Sequence, residues 1–332
     1  MIEDLPKQFK ILSIDGGGIK GLYSSTILEH LEAKFNCACS DYFDLICGTS
    51  TGGLIALALS LKIPAKTISK FYCEEGPKIF RNKSSRISFL KQVFLGGKYS
   101  DRQLKISLQS IFGEKKLSES SNLLCIPAYS ITDARPWVFK YDHSNLSRDN
   151  KALYIDVALA TTAAPTYFPL AEISYYDSKQ FVDGGVWANN PTLCGLIEAL
   201  SYFAVPSMGF NNIQILSVSS LNNTGGKPTG LRRKRSFRSW GNDLFETSLI
   251  GQSSFTDYFL TKLKNLSHIP ITYVRIPSEQ VSSEQEHLVK LDSSSQNAIN
   301  FIRGKGNDRG YLSEKDINIQ SFFSNQKIHK IN

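Results

Sequence analysis

From Leu45 to Leu61 the chain carries no charged residue, and the run is broken near its start by Gly48-Thr49-Ser50-Thr51-Gly52. An uncharged stretch of this kind has to be buried. A membrane-spanning helix needs ~20 predominantly apolar residues, and this run is shorter and interrupted by glycine, serine and threonine. It fits a short buried strand, a sharp turn and a buried helix, the order of a nucleophile elbow. Ser50 then stands at the tip of the turn and at the N-terminus of the helix, where the helix dipole favours developing negative charge. Gly48 and Gly52 let the strand and helix backbones approach where a Cβ would collide.

A second glycine cluster precedes this one. Phe9–Ile14 is rich in strand formers and runs into Asp15-Gly16-Gly17-Gly18-Ile19-Lys20-Gly21, after which Leu22, Ile27, Leu28, Leu31 and Phe35 recur with helical spacing. Consecutive glycines between a strand and a helix expose several backbone N–H groups in one place, a cradle for an anion. Two functions compete for it. Gly16, Gly18 and Gly21 match G-x-G-x-x-G, so a dinucleotide-binding module without ester hydrolysis is one reading. That fingerprint also wants an acid at the end of the second strand, whereas Asp41 and Asp44 precede the apolar run. The other is an oxyanion hole, in which the N–H groups of Gly17 and Gly18 hold the oxygen of a tetrahedral intermediate formed at Ser50. The elbow downstream favours the oxyanion hole.

The 332 residues, 41% hydrophobic and 20% charged, suffice for one large α/β domain, 1–332, with no internal repeat. Met1–Lys10 has no apolar core of a secretory signal, so the six cysteines (Cys37, Cys39, Cys47, Cys73, Cys125 and Cys194) are expected to be reduced. Cys37 and Cys39 lack a companion Cys/His cluster for a four-ligand metal site. Lys and Arg exceed Asp and Glu, 38 against 30, for a net charge of +8. That favours anionic partners. Much of the excess sits in Arg232, Arg233, Lys234 and Arg235, within a polar loop expected over 222–240 that could touch lipid head groups or nucleotide phosphates. The cations are not interleaved with aromatics, so a nucleic-acid polymer is not the expected partner.

Periodicity predicts further helices over 64–75, 100–112, 152–163, 187–203 and 244–266, and short ones around 284–290 and 295–302 before a polar tail. Strands are predicted over 123–132, 135–141, 181–182, 213–218 and 271–276, and a partly ordered excursion over 84–99.

An activated serine needs a proton acceptor. For a Ser-His-Asp triad only His268, His287 and His329 follow in the chain, and none stands at the C-terminal end of a strand. Asp183 ends the strand at 181–182 and precedes Gly184-Gly185, which leaves its carboxylate free to accept the serine proton directly. A turn aspartate before two glycines is the bland alternative.

Asp-Gly-Gly-Gly-x-Lys-Gly at 15–21, Gly-Thr-Ser-Thr-Gly at 48–52 and Asp-Gly-Gly at 183–185, with Ala163-Ala164-Pro165 and Asn189-Asn190-Pro191 beside them, resemble the patatin-like phospholipases in order and context over positions 9–205. The resemblance implies a three-layer α/β/α sandwich with a mostly parallel central sheet. It makes Ser50 the nucleophile, Asp183 the base and Gly16, Gly17 and Gly18 the oxyanion hole, with Gly48, Gly52, Lys20, Gly21, Gly184 and Gly185 as supporting motif positions. It further implies a membrane phospholipid substrate, no metal or other cofactor, and an enzyme of the cytoplasm working at the inner face of the cell membrane. Two departures stand out: Lys20 replaces a frequent arginine, and Ser219-Ser220 stands where Gly-Thr is common. The tryptophan at Trp240, the strand Tyr273-Val274-Arg275-Ile276 and the whole length are similar to bacterial patatin-like effectors of anti-phage defence. That likeness implies a cyclic dinucleotide such as cGAMP as activator, and oligomerisation as an option.

Overall fold

The computed structural model describes residues 7–81, 97–204, 208–222, 229–230, 233–234, 240, 243–263 and 269–329. The chain winds as β1 (Lys7–Ile14), α1 (Gly21–Phe35), β2 (Leu45–Gly48), α2 (Thr51–Ser60), α3 (Ala65–Ile79), α4 (Arg102–Phe112), β3 (Leu123–Ser130), β4 (Arg135–Lys140), α5 (Tyr154–Thr162), β5 (Ala171–Ile173), β6 (Lys179–Asp183), α6 (Thr192–Glu198), β7 (Phe210–Val218), α7 (Asp243–Leu263), β8 (Ile271–Ile276) and α8 (Gln296–Ser313).

These strands form one sheet in the order β5-β6-β3-β2-β1-β7-β8, with β4 paired to β3 off that path. The pairs β3·β2, β2·β1, β1·β7 and β7·β8 are parallel, while β4, β6 and β5 are antiparallel at one edge. The fold is therefore α/β with a mostly parallel central sheet, as expected. Phe9, Ile11, Leu12 and Ile14 of β1 are all fully buried. That is the continuous apolar pattern of a parallel strand covered on both faces, rather than alternation. Adjacent residues of β3 meet the two covering layers: Ile126 lies against Gly53 of α2, while Cys125 neighbours Cys47, which lies beneath Gly195 of α6.

The uncharged run of the sequence becomes β2 and α2. All ten residues of α2 are buried, and a helix enclosed on every side has no need of a polar face. All six cysteines are free thiols.

Three elements differ from expectation. α8 runs on to Ser313 although helix-weakening Gly304, Gly306 and Gly310 follow Ile302. Gly306 and Gly310 lie directly against Thr26, Tyr23 and His30 of α1, so the missing side chains permit close helix packing. The predicted helix 187–203 is instead a single turn at Gly185–Ala188, then α6, then a π turn at Ala199–Phe203. The three-residue edge strand β5 has no signal strong enough to be read from sequence. The excursion expected over 84–99 lies outside the described residues except for its last three positions, and most of the 222–240 loop lies outside them too.

Candidate active site

Ser50 joins β2 to α2 with φ 55° and ψ −124°, a left-handed conformation that a non-glycine residue adopts at a cost of about 1–3 kcal/mol. The surroundings hold it there. Its N–H donates to Thr161 Oγ1 at 2.9 Å, and that hydroxyl donates in turn to the Pro127 carbonyl at 2.6 Å. Close packing finishes the elbow: a Cβ on Gly48 would lie 2.1 Å from the Gly52 carbonyl oxygen, and one on Gly52 would lie 2.2 Å from that of Ile14. Neither position has room for a side chain.

β6 delivers Asp183 to the same place. Its carboxylate is buried, lines the same cleft as Ser50 and accepts a hydrogen bond from the Gly185 N–H at 2.7 Å. Burial pushes the carboxyl up to about 7, against the downward pull of the neighbouring Ser50 hydroxyl and the Gly185 N–H. A carboxyl titrating near neutrality can both take and return a proton at ordinary pH. Gly184 lies so close to the Pro127 carbonyl that a Cβ would sit 2.3 Å from its oxygen, which seats the end of β6 against β3.

The loop after β1 closes the third side. Gly17 and Gly18 line the cleft that contains Ser50 and Asp183, and among the described residues their N–H groups have no hydrogen-bond acceptor. Gly16 is a correction to the expected triad of donors: its N–H donates to the Asn189 carbonyl at 2.9 Å and is unavailable to an oxyanion. It fastens the glycine loop to the segment that follows Asp183. Gly18 has φ +60°, and a Cβ there would lie 2.2 Å from the Leu291 carbonyl oxygen. Lys20 and Gly21 stand behind the loop. Lys20 is buried, donates from Nζ to Asn222 Oδ1 at 3.0 Å, and is held below the usual lysine range by that burial.

The cleft is mostly apolar, with Leu54, Phe71, Phe80, Leu104, Phe168 and Leu249 among its walls. Thr51 also lines it, and as the first residue of α2 it presents one of the amides that a helix leaves without an internal partner. A glycine loop whose remaining donors face an apolar slot, and whose Gly16 and Ile19 amides already bind the Asn189 and Leu291 carbonyls, is poorly suited to a pyrophosphate.

A family model for patatin-like phospholipases matches residues 12–193, more than half of the chain and every motif just described up to Pro191. The chain belongs to the patatin-like phospholipase family. It is 30% identical over 319 residues to a cGAMP-activated phospholipase of Pseudomonas aeruginosa, an alignment covering 96% of this chain and 92% of that protein. It is 34% identical over 221 residues to patatin-like protein 2 of Oryza sativa subsp. indica, covering 59% of this chain and 54% of the rice protein. The chain thus spans about half the length of the rice relative. Among solved structures, VipD from Legionella pneumophila superposes with a TM-score of 0.42 and 12% identity, covering 95% of this chain and 67% of that one.

Among the described residues of this patatin-like chain no histidine lines the cleft. His287 is exposed and bonds the Glu284 carbonyl, His329 packs edge-on against Phe203, and His268 lies outside the described residues. Arg233 and Lys234 are exposed, whereas Arg232 and Arg235 lie outside the described residues.

Sequence reasoning missed one group. Asp15, fully buried just before the glycines, pairs with Arg275 of β8, Oδ2 to Nη2 at 2.6 Å, and Arg275 also donates to Ser217 Oγ at 2.6 Å. Ser253 Oγ of α7 accepts from Asn189 Nδ2 at 2.9 Å, and the Asn189 carbonyl in turn accepts from the Gly16 N–H. The glycine loop is therefore tied to β8 and α7 as well as to its own strand. The available signal was an arginine inside an apolar strand, Tyr273-Val274-Arg275-Ile276.

Proposed function

We propose that this chain is a phospholipid acyl hydrolase with a Ser50–Asp183 dyad. The observation that carries this reading is that one apolar cleft holds the Ser50 hydroxyl at a strained strand-to-helix turn, the buried Asp183 carboxylate, and the Gly17 and Gly18 amides, which have no acceptor among the described residues. In the proposed reaction the acyl chain of a glycerophospholipid lies along the apolar walls with its ester carbonyl over Ser50. Asp183 takes the hydroxyl proton as Oγ attacks the carbonyl carbon. The Gly17 and Gly18 amides, aided by the α2 N-terminus, stabilise the oxyanion, one such donor contributing ~3 kcal/mol in comparable sites. Collapse of the intermediate breaks the ester C–O bond, and Asp183 returns its proton to the departing lysophospholipid oxygen. Water then attacks the acyl-enzyme with Asp183 again as base and releases the fatty acid. These steps use only the chain's own groups and call for no cofactor.

The second part of the proposal is regulation. Similarity along nearly the full length to a protein named as a cGAMP-activated phospholipase supports activation by a cyclic dinucleotide. The role proposed with it is anti-phage defence by degradation of the cell's own membrane. That role places the enzyme in the cytoplasm at the inner membrane face, as a peripheral protein. Among the described residues no helix is long and apolar enough to cross a membrane.

The test is fatty-acid release from mixed phospholipid vesicles, with and without a panel of cyclic dinucleotides. Wild-type protein is expected to release fatty acid, more so with one of the nucleotides, and Ser50→Ala to release none. Undiminished hydrolysis by purified Ser50→Ala would overturn the dyad, and a rate indifferent to every nucleotide would overturn the regulation.

A further inference from the structure

α7 has two faces of different character. Leu249, Ser253, Thr256 and Leu260 are buried against the body of the protein, and Phe245 and Leu249 reach the lip of the catalytic cleft. On the opposite side, residues at helical spacing are bare: Leu244 is 48% exposed, Phe255 63%, Tyr258 63% and Phe259 40%. Phe255 and Phe259 touch each other, with ring centroids 6.4 Å apart, and Lys262 places its ammonium 5.7 Å from the centre of the Tyr258 ring. Three large aromatics together on one exposed helix face are uncommon on a monomeric surface and mark a place where something binds.

We infer that the outer face of α7 is a membrane-docking surface for an anionic bilayer. Four features select a lipid surface over a protein groove or a second copy. Within 244–263 both acids of the helix have partners on the body of the protein: Glu246 shares a recess with Lys20 and Asn222, and Asp257 accepts from the Tyr273 hydroxyl at 2.8 Å. The face itself is apolar and aromatic, edged by the Lys262 cation, the pattern of a helix lying in the head-group layer. Exposed Arg233 and Lys234 precede the helix in a chain of net charge +8, which suits anionic lipid. Finally, the same helix forms the cleft lip, so a bilayer touching Phe255 and Phe259 has the mouth of the acyl slot beside it. The inference rests on the proposed phospholipase function for its purpose, but its binding step is measurable without hydrolysis.

The experiment is sedimentation of the full chain with vesicles of phosphatidylglycerol and phosphatidylethanolamine, with and without cGAMP, alongside vesicles of phosphatidylcholine. Wild type is expected to partition onto the anionic vesicles, and Phe255→Ser/Tyr258→Ser/Phe259→Ser to lose more than about tenfold in partition with an unchanged thermal midpoint. Should the triple variant unfold, Phe255→Ser alone is the second variant, with a loss of about threefold or more expected. Ser50→Ala is expected to bind as wild type does. Equal vesicle binding by wild type and the folded variants overturns the inference. So does a wild-type protein that binds no vesicle under either condition, or a wild-type dimer that the variants convert to monomer without loss of vesicle binding. If vesicles bind through this face and no fatty acid appears, the docking surface stands and the hydrolase proposal falls.

Discussion

Asp183 carries two opposed consequences of one burial. With its carboxyl raised to about 7, the base is ionised only above that pH, so hydrolysis is expected to rise with pH through about 7 and then level off. The stability effect has the opposite sign. A carboxyl whose folded-state value lies above its unfolded value of 3.8 favours the folded state fully at pH below that unfolded value, and the benefit is lost as pH climbs to about 7. Asp183→Asn is therefore expected to cut hydrolysis by about 10²–10⁴-fold while raising stability by roughly 2–4 kcal/mol at about pH 8 and far less at about pH 4. Thermal melts of both proteins at the two pH values check this. Arg275 poses the reverse case. Removing it leaves Asp15 buried without its cation, so Arg275→Gln is expected to cost about 3–5 kcal/mol. Adding Asp15→Asn should recover part of that loss, as read by the urea midpoint.

At the scale of elements, the catalytic half was legible because each motif combines a local constraint with a global one. Gly48 and Gly52 report a backbone approach that only glycine tolerates, Ser50 the strained tip between them, and Asp183 the end of a strand that pairs beside them. The sandwich around β1 and β2 was implied by the family resemblance that these motifs carry. What escaped notice depends on contacts between distant segments. The helix expected over 295–302 stops short of Gly306 and Gly310, whose value shows only when α1 is laid across them, and Gly16 reads as an amide donor until Asn189 is placed against it. Arg275 reads only as part of a strand, and its partner Asp15 lies 260 positions away. The α1–α8 packing yields its own prediction. A Cβ at Gly306 would lie 2.8 Å from Thr26 Cβ and 3.1 Å from the Tyr23 carbonyl oxygen, so Gly306→Leu forces the two helices apart. The expected loss is about 1–3 kcal/mol, measured by chemical unfolding, with Ser50 still in place.

The molecule carries a net positive charge, an antiparallel edge on one side of its sheet, and an apolar cleft whose polar floor is built from three separated stretches of chain. β1 supplies the amides, β2 the hydroxyl and β6 the carboxylate, and the parallel order β3-β2-β1 brings their ends together. Net charge of +8 acting on an anionic bilayer makes the surface attraction fall with salt, the Debye length shrinking from about 10 Å at 0.1 M to about 3 Å at 1 M. Vesicle binding is expected to weaken with added salt without vanishing, because the aromatic contribution of α7 is not screened. The central claim concerns one hydroxyl, and covalent capture reads it most directly. Treatment with a fluorophosphonate followed by peptide mapping is predicted to place the adduct on Ser50, at a rate that rises through about pH 7 and collapses in Asp183→Asn. An adduct on another serine, or labelling undiminished when Asp183 is replaced, would contradict the account.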